Sequence, residues 1–296
     1  MIRIGLVSAR PVPPALVEHA RGLLTTVVDD VAARDTSRPG WSGVAVEGVA
    51  RPGVAADVDV ALTAELRGPA TALGVDVAVT AGPLAADGVG LLVMDVDSTL
   101  ITAEVIELLA EHAGTREQVA EVTERAMRGE LDFAASLRER VATLAGLDAG
   151  VVDAVRDVVE LSEGARELVA AVHERGGKVA LVSGGFLEVV GPIAEELRID
   201  HLTANRLEVD GGLLTGRTSG PVVDRAAKER HLRAWAAEDG VPLGRVVAVG
   251  DGANDLDMLG AAGLGVAYCA KPVVQEQARA AVTFPRLDAV LGLLGA

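Results

Sequence analysis

Leu91-Leu92-Val93-Met94-Asp95-Val96-Asp97-Ser98-Thr99-Leu100 joins an unbroken apolar run to two carboxylates spaced two residues apart. A run that is apolar at every position suits a strand buried on both faces, as strands of a parallel sheet are. Lys178–Val182, Val246–Val249 and Gly265–Tyr268 are short runs of the same kind, each following a helical stretch. Four such strands with helices between them predict an α/β fold, a Rossmann-like parallel-sheet core. Between the first two strands, roughly Thr102 to Glu160, the chain is poor in glycine and proline and carries helical patterning. Helices are expected at Val105–Ala113, Arg116–Arg128 and Ala134–Ala145, forming a helical cap inserted at about 102–160. His201–Arg217 breaks the pattern, because Asp210-Gly211-Gly212 between two strand-like runs predicts a β-hairpin.

Upstream lies a different pattern. Ile2–Val7, Thr25–Val31, Val44–Val49 and Val75–Val79 read as strands, with helices over Ala15–Leu24 and Leu62–Leu73. That β-α-β-β-α-β order is the split motif of ferredoxin-like α+β folds. Ala85-Ala86-Asp87-Gly88 reads as a linker, so the expected division is 1–84 and 85–296.

Composition narrows the function. Half of the 296 residues are hydrophobic and 24% charged, the balance of a globular chain. The net charge of −16 argues against nucleic acid or an anionic membrane surface as partner. No apolar run approaches the roughly 20 residues of a membrane span, and the N-terminus lacks the apolar core of a secretory signal. A single cysteine, Cys269, leaves no cysteine cluster for zinc and no intrachain disulfide. The expected compartment is the cytoplasm.

Ligands of open α/β sheets bind beyond the carboxyl ends of the strands, so the residues standing there carry the functional reading. Asp95 and Asp97 project to the same side of an extended chain. Ser183-Gly184-Gly185 offers a hydroxyl and unshielded backbone N–H groups to an anion. Gly250-Asp251-Gly252-Ala253-Asn254-Asp255 adds two carboxylates, and Lys228, one of only three lysines, lies on a helix between these motifs. Each is ordinary alone; together they fit phosphoryl transfer. One carboxylate can hold a covalent phosphoryl group while its neighbour serves as acid and then base. Mg2+ and Lys228 would offset the crowded negative charge.

These motifs resemble those of the haloacid dehalogenase superfamily, whose phosphatases carry Asp-x-Asp-x-Thr at the nucleophile. The fuller likeness is to its phosphoserine phosphatases. Glu104 stands nine residues after Asp95, and the cap carries Ala126-Met127-Arg128-Gly129-Glu130-Leu131-Asp132-Phe133 and Ser136-Leu137-Arg138-Glu139-Arg140-Val141. The likeness covers about Leu91 to Pro272. It implies Asp95 as nucleophile, Asp97 as acid/base, and Mg2+ held by Asp95, Asp251 and the Asp97 carbonyl, with Asp255 orienting them. It implies phosphoserine as substrate, bound by Glu104, Met127, Phe133, Arg140, Ser183, Gly184, Lys228 and Asn254. Glu104 suits an ammonium and Arg140 a carboxylate, as a zwitterion requires. The N-terminal segment is similar to ACT domains, which implies an amino-acid effector or a homodimer contact there. Two alternatives stay open: a phosphatase or phosphotransferase for another small phosphate, and an amino-acid sensor with a vestigial core.

Overall fold

Two sheets organise the computed structural model, which describes residues 1–127 and 130–296; the side chain of Met127 also lies outside the description. The first is antiparallel, built from β1 (Ile2–Ser8), β2 (Val28–Asp35), β3 (Ser42–Ala50) and β4 (Asp76–Ala81) in the order β2-β3-β1-β4. Helices Pro14–Leu24 and Val58–Ala72 bury Leu16, Ala20 and Leu24, and Leu62, Leu66 and Ala70. These spacings of four residues put one apolar stripe on each helix, facing Ile2, Ile4, Leu6 and Val46. β2 begins at Val28 rather than Thr25, because the Thr25 and Thr26 hydroxyls donate to Gly22 O and Leu23 O and hold the helix end.

The second sheet comprises β5 (Leu91–Met94), β6 (Lys178–Phe186), β7 (His201–Asp210), β8 (Leu213–Ser219), β9 (Val246–Gly250), β10 (Leu264–Tyr268) and β11 (Ala280–Val282). Its order is β11-β10-β9-β5-β6-β7-β8, parallel throughout except for the β7–β8 hairpin at one edge. The four core strands expected from the sequence are its centre; the hairpin and β11 extend it. Every residue of β5, β9 and β10 is buried, as double coverage by helices demands.

Between β5 and β6 the cap folds as helices Val105–Ala113, Arg116–Met127, Phe133–Ala142 and Val151–Val158, the last not foreseen. Asp132 starts the third by accepting from Ala135 N at 2.7 Å, and it ends at Ala142 rather than Ala145, where the Thr143 hydroxyl donates to Arg140 O at 2.7 Å. The expected extension of the second helix to Arg128 falls on a residue outside the description. Gly146 N and Ala149 N donate to Leu214 O and Gly212 O, which ties the cap to the hairpin.

Residues 85–88 are not an extended linker, since Gly82–Asp87 forms a short helix. The N-terminal sheet turns its free face onto the C-terminal helix Ala289–Leu293. A Cβ on Gly5 would stand 2.2 Å from Leu293 O, so only glycine allows this approach. The buried Trp41 indole donates to Asp288 Oδ2 at 3.0 Å, and Arg67 reaches Ala278 O and Arg279 O at 2.8 and 2.9 Å.

Asp76, buried at the same junction, accepts from Thr283 N and Oγ1 at 2.7 and 3.0 Å, and burial pushes its pKa up to about 6. An unfolded Asp titrates about two pH units lower. The native state therefore retains a proton that the unfolded chain has released, and stability falls as pH rises through that window. Asp76→Asn keeps an acceptor and deletes the titration. Wild type should lose about 2–3 kcal/mol relative to this variant between pH 4 and 7, measured by urea unfolding. A pH-independent difference would contradict the assignment.

Candidate active site

The turn that leaves β5 sets the geometry. Asp95 N donates to Val249 O at 2.9 Å, which fixes the carboxylate beside the end of β9. Asp95 Oδ1 accepts from Val96 N at 2.7 Å and pairs with Lys228 Nζ at 2.7 Å. The Lys228 ammonium also donates to Asp255 Oδ1 at 2.7 Å, and Asp255 Oδ2 accepts from Gly252 N at 3.0 Å. Lys228 is 0% exposed, in the first turn of helix Arg225–Glu238, where Asp224 caps by accepting from Ala227 N.

Ser98 takes a left-handed conformation (φ 55°) in the turn, and its hydroxyl donates to Glu104 Oε1 at 2.9 Å. Thr99 Oγ1 donates to Asp251 Oδ1 at 3.3 Å, linking the first and third strand ends. Asp97 faces Gly185: a Cβ there would lie 2.9 Å from Asp97 Oδ2 and 3.0 Å from Ser183 Oγ. Glycine is what lets the strand pass this close to the acid. The Asp97 Oδ1 atom is buried with no hydrogen-bond partner among the described residues. A ligand group is the natural partner for such an atom.

β6 does not stop at Ser183 but continues to Phe186, with its pairing to β7 interrupted between Ser183 and Phe186. Gly184 and Gly185 occupy that irregularity. Ser183 Oγ turns inward, accepting from Gly185 N at 2.8 Å, and Asn205 braces the loop by donating to Gly184 O at 2.8 Å and accepting from Val223 N at 2.9 Å. Sequence reasoning missed Asn205. A buried amide inside a strand-like run was the signal, but its partners are remote in sequence.

Asp95, Asp97, Glu104, Phe133, Arg140, Gly184, Asp251 and Asn254 line one cavity of about 890 Å³ between cap and core. Ser183, Lys228 and Asp255 are buried, Lys228 against Asp95 and Asp255, and Ser183 beside Gly185, which lines the cavity. Cys269 and Lys271 also line it, and the sequence reading gave neither a role. The contribution expected of Met127 falls on a side chain outside the description.

Electrostatics distinguish the carboxylates. Burial, then the charge of Glu104, pushes Asp97 up to about 8, so it carries a proton at neutral pH. Burial, then repulsion from Asp255, raises Asp251 to about 6 and Asp95 well above the carboxylate range. For Lys228 burial favours the neutral amine, but Asp255 and Asp95 outweigh it and hold the ammonium above its ordinary pKa. One oxygen each from Asp95, Asp251 and Asp255 lies within 4.8 Å of the others. One lysine against three converging carboxylates leaves an uncompensated excess of negative charge. A hard divalent cation fits that oxygen donor set, and its positive charge would favour the ionised forms of Asp95 and Asp251.

Residues 92–260 match the haloacid dehalogenase-like hydrolase family. The chain is 60% identical over 226 residues to a phosphoserine phosphatase of Streptomyces coelicolor, an alignment covering 76% of this chain and 55% of that protein. It is 53% identical over 205 residues to the phosphoserine phosphatase of Streptococcus thermophilus, covering 69% of this chain and 95% of that one. A phosphoserine phosphatase solved as an analogue of its phospho-aspartyl intermediate superposes with a TM-score of 0.65 at 41% identity, over 69% of this chain and 97% of that one. The chain thus spans little more than half the length of the Streptomyces relative. No helix among the described residues is long and apolar enough to cross a membrane. With its parallel sheet, inserted cap and converging carboxylates, the chain belongs to the haloacid dehalogenase-like hydrolase family.

Proposed function

We propose that this chain is a phosphoserine phosphatase, hydrolysing O-phospho-L-serine to L-serine and phosphate through a phosphoaspartyl intermediate on Asp95. The observation that carries this reading is one cavity holding the Asp95–Asp97 pair together with Glu104 and Arg140. In the first step an Asp95 carboxylate oxygen attacks phosphorus and the bond from phosphorus to the seryl oxygen breaks. Asp97, protonated at neutral pH, gives its proton to that departing oxygen. In the second step water attacks the phosphoaspartate, Asp97 takes the water proton, and phosphate leaves with Asp95 restored. The unpartnered Asp97 Oδ1 supports this role, since a seryl oxygen or a water would complete its hydrogen bonding. Bound through Asp95, Asp251 and the Asp97 carbonyl, Mg2+ would supply charge neutralisation for the phosphoryl oxygens. Asp255 has both oxygens engaged by Lys228 and Gly252, which suits an orienting part. Ser183, Gly184 and Asn254 would surround the phosphoryl group, and Phe133 supplies an apolar wall.

Residues 85–296 then form the phosphatase domain and 1–84 an ACT-like unit for regulation by an amino acid or for dimerisation. The β2-β3-β1-β4 order supports the ACT-like reading. A lone thiol with no disulfide suits the reducing cytoplasm.

Substrate identity is tested at Arg140. The side chain is half-buried, its Nε donates only a long contact of 3.4 Å to Ser136 O, and it pairs with no carboxylate among the described residues. Burial draws its pKa downward, so a carboxylate ligand would be welcome there. Truncation leaves the substrate carboxylate desolvated without a partner, at about 2–5 kcal/mol. Arg140→Ala should therefore lower kcat/KM for phosphoserine about 30-fold or more, by steady-state phosphate release. Hydrolysis of p-nitrophenyl phosphate, which has neither amino nor carboxyl group, should change little. Equal loss on both esters would make Arg140 structural, and no loss on either would remove phosphoserine as the substrate.

A further inference from the structure

The chain has three lysines, and they are placed very differently. Lys178 pairs with Asp239 at the surface, and Lys228 is buried between Asp95 and Asp255. Lys271 is exposed, lines the mouth of the cavity that holds Asp95, and pairs with no carboxylate among the described residues.

Its backbone is firmly held. Lys271 O accepts from Val274 N and Gln275 N at 2.9 and 3.1 Å, and Gln275 Nε2 donates to Ala270 O at 2.7 Å. Cys269 N donates to Val282 O at 2.8 Å, and Arg67 of the N-terminal unit fastens the chain further along at Ala278 and Arg279. The stem is thus mounted on a rigid base while the ammonium stays free to reach.

The surroundings give that freedom a use. The cavity presents Asp95, Glu104 and Asp251, and the whole chain carries a net charge of −16. A phosphate dianion approaching this mouth meets a repulsive field. Lys228 is committed to two carboxylates and, on the reading above, Arg140 to the substrate carboxylate. We infer that Lys271 is a phosphate-capturing residue at the entrance, drawing in the dianion and lowering KM without taking part in bond making. This rests on the phosphatase reading.

The test uses the full chain with Mg2+, as wild type, Lys271→Gln and Lys271→Arg. Inorganic phosphate binding is measured by calorimetry, and kcat and KM on phosphoserine and p-nitrophenyl phosphate, at low and high salt. Lys271→Gln should weaken phosphate binding and lower kcat/KM on both esters by about 3–10-fold at low salt, with kcat unchanged. The gap should close at about 0.5 M salt, where screening acts within a few ångströms. Lys271→Arg should keep most of the affinity. Unchanged phosphate binding and kcat/KM at low salt would overturn the proposal, as would a salt-independent loss residing in kcat. Failure of the phosphoserine reading looks different: wild type would then turn over only the generic ester, or neither. The phosphate-binding comparison still decides the role of Lys271 in either case.

Discussion

Asp95→Asn should abolish turnover while leaving the fold intact. The amide keeps the size of the side chain but cannot form an acyl phosphate, so the covalent route closes entirely. Asn also removes one of three crowded carboxylates, and Lys228 keeps Asp255 at 2.7 Å as its partner. Burial and the charge of Asp255 already work against an ionised Asp95, so neutralising it relieves repulsion rather than creating a buried orphan charge. Residual activity should fall below about 1% of wild type on phosphoserine and on p-nitrophenyl phosphate alike, a barrier increase of at least about 2.7 kcal/mol. The unfolding midpoint should hold or rise. Activity above that level in a preparation free of deamidated protein would sink the phosphoaspartyl route.

Lys228→Met should fail in both respects. The ammonium is 0% exposed and bridges Asp95 and Asp255, so its removal strands two buried carboxylates. Breaking a buried ion pair from one side costs about 3–5 kcal/mol. Turnover should drop by more than about 10²-fold, because the site loses a fixed positive charge next to the developing phosphoryl charge. The stability loss should be greatest at neutral pH and shrink in acid as Asp95 takes up its proton. The variant is assayed by urea unfolding at pH 5 and pH 8 and by phosphate release with Mg2+. A soluble variant with unchanged stability and near wild-type turnover would show that the ammonium is dispensable.

What was readable beforehand depended on neighbours in the chain. Leu91–Met94 announces a doubly covered strand by itself, and Val105–Ala113 forms where its own spacing places it. The two-residue offset of Asp95 and Asp97 and the glycines at Ser183-Gly184-Gly185 carry chemistry that local geometry alone can express. Amino-acid sequence therefore determined the α/β core, the inserted cap and the motifs gathered at its strand ends. Three-residue β11 was not legible, because its pairing with β10 stabilises a run too short to signal itself. Nor was the docking of the N-terminal sheet, which turns on Trp41 meeting Asp288 and Gly5 meeting Leu293 across nearly the whole chain. The elevated pKa of Asp97, the brace supplied by Asn205 and the placement of Lys271 at the cavity mouth belong to the same class. Each is set by burial and by charges from distant segments. Desolvation and Coulomb energy depend on distance in space, and only the folded chain defines it.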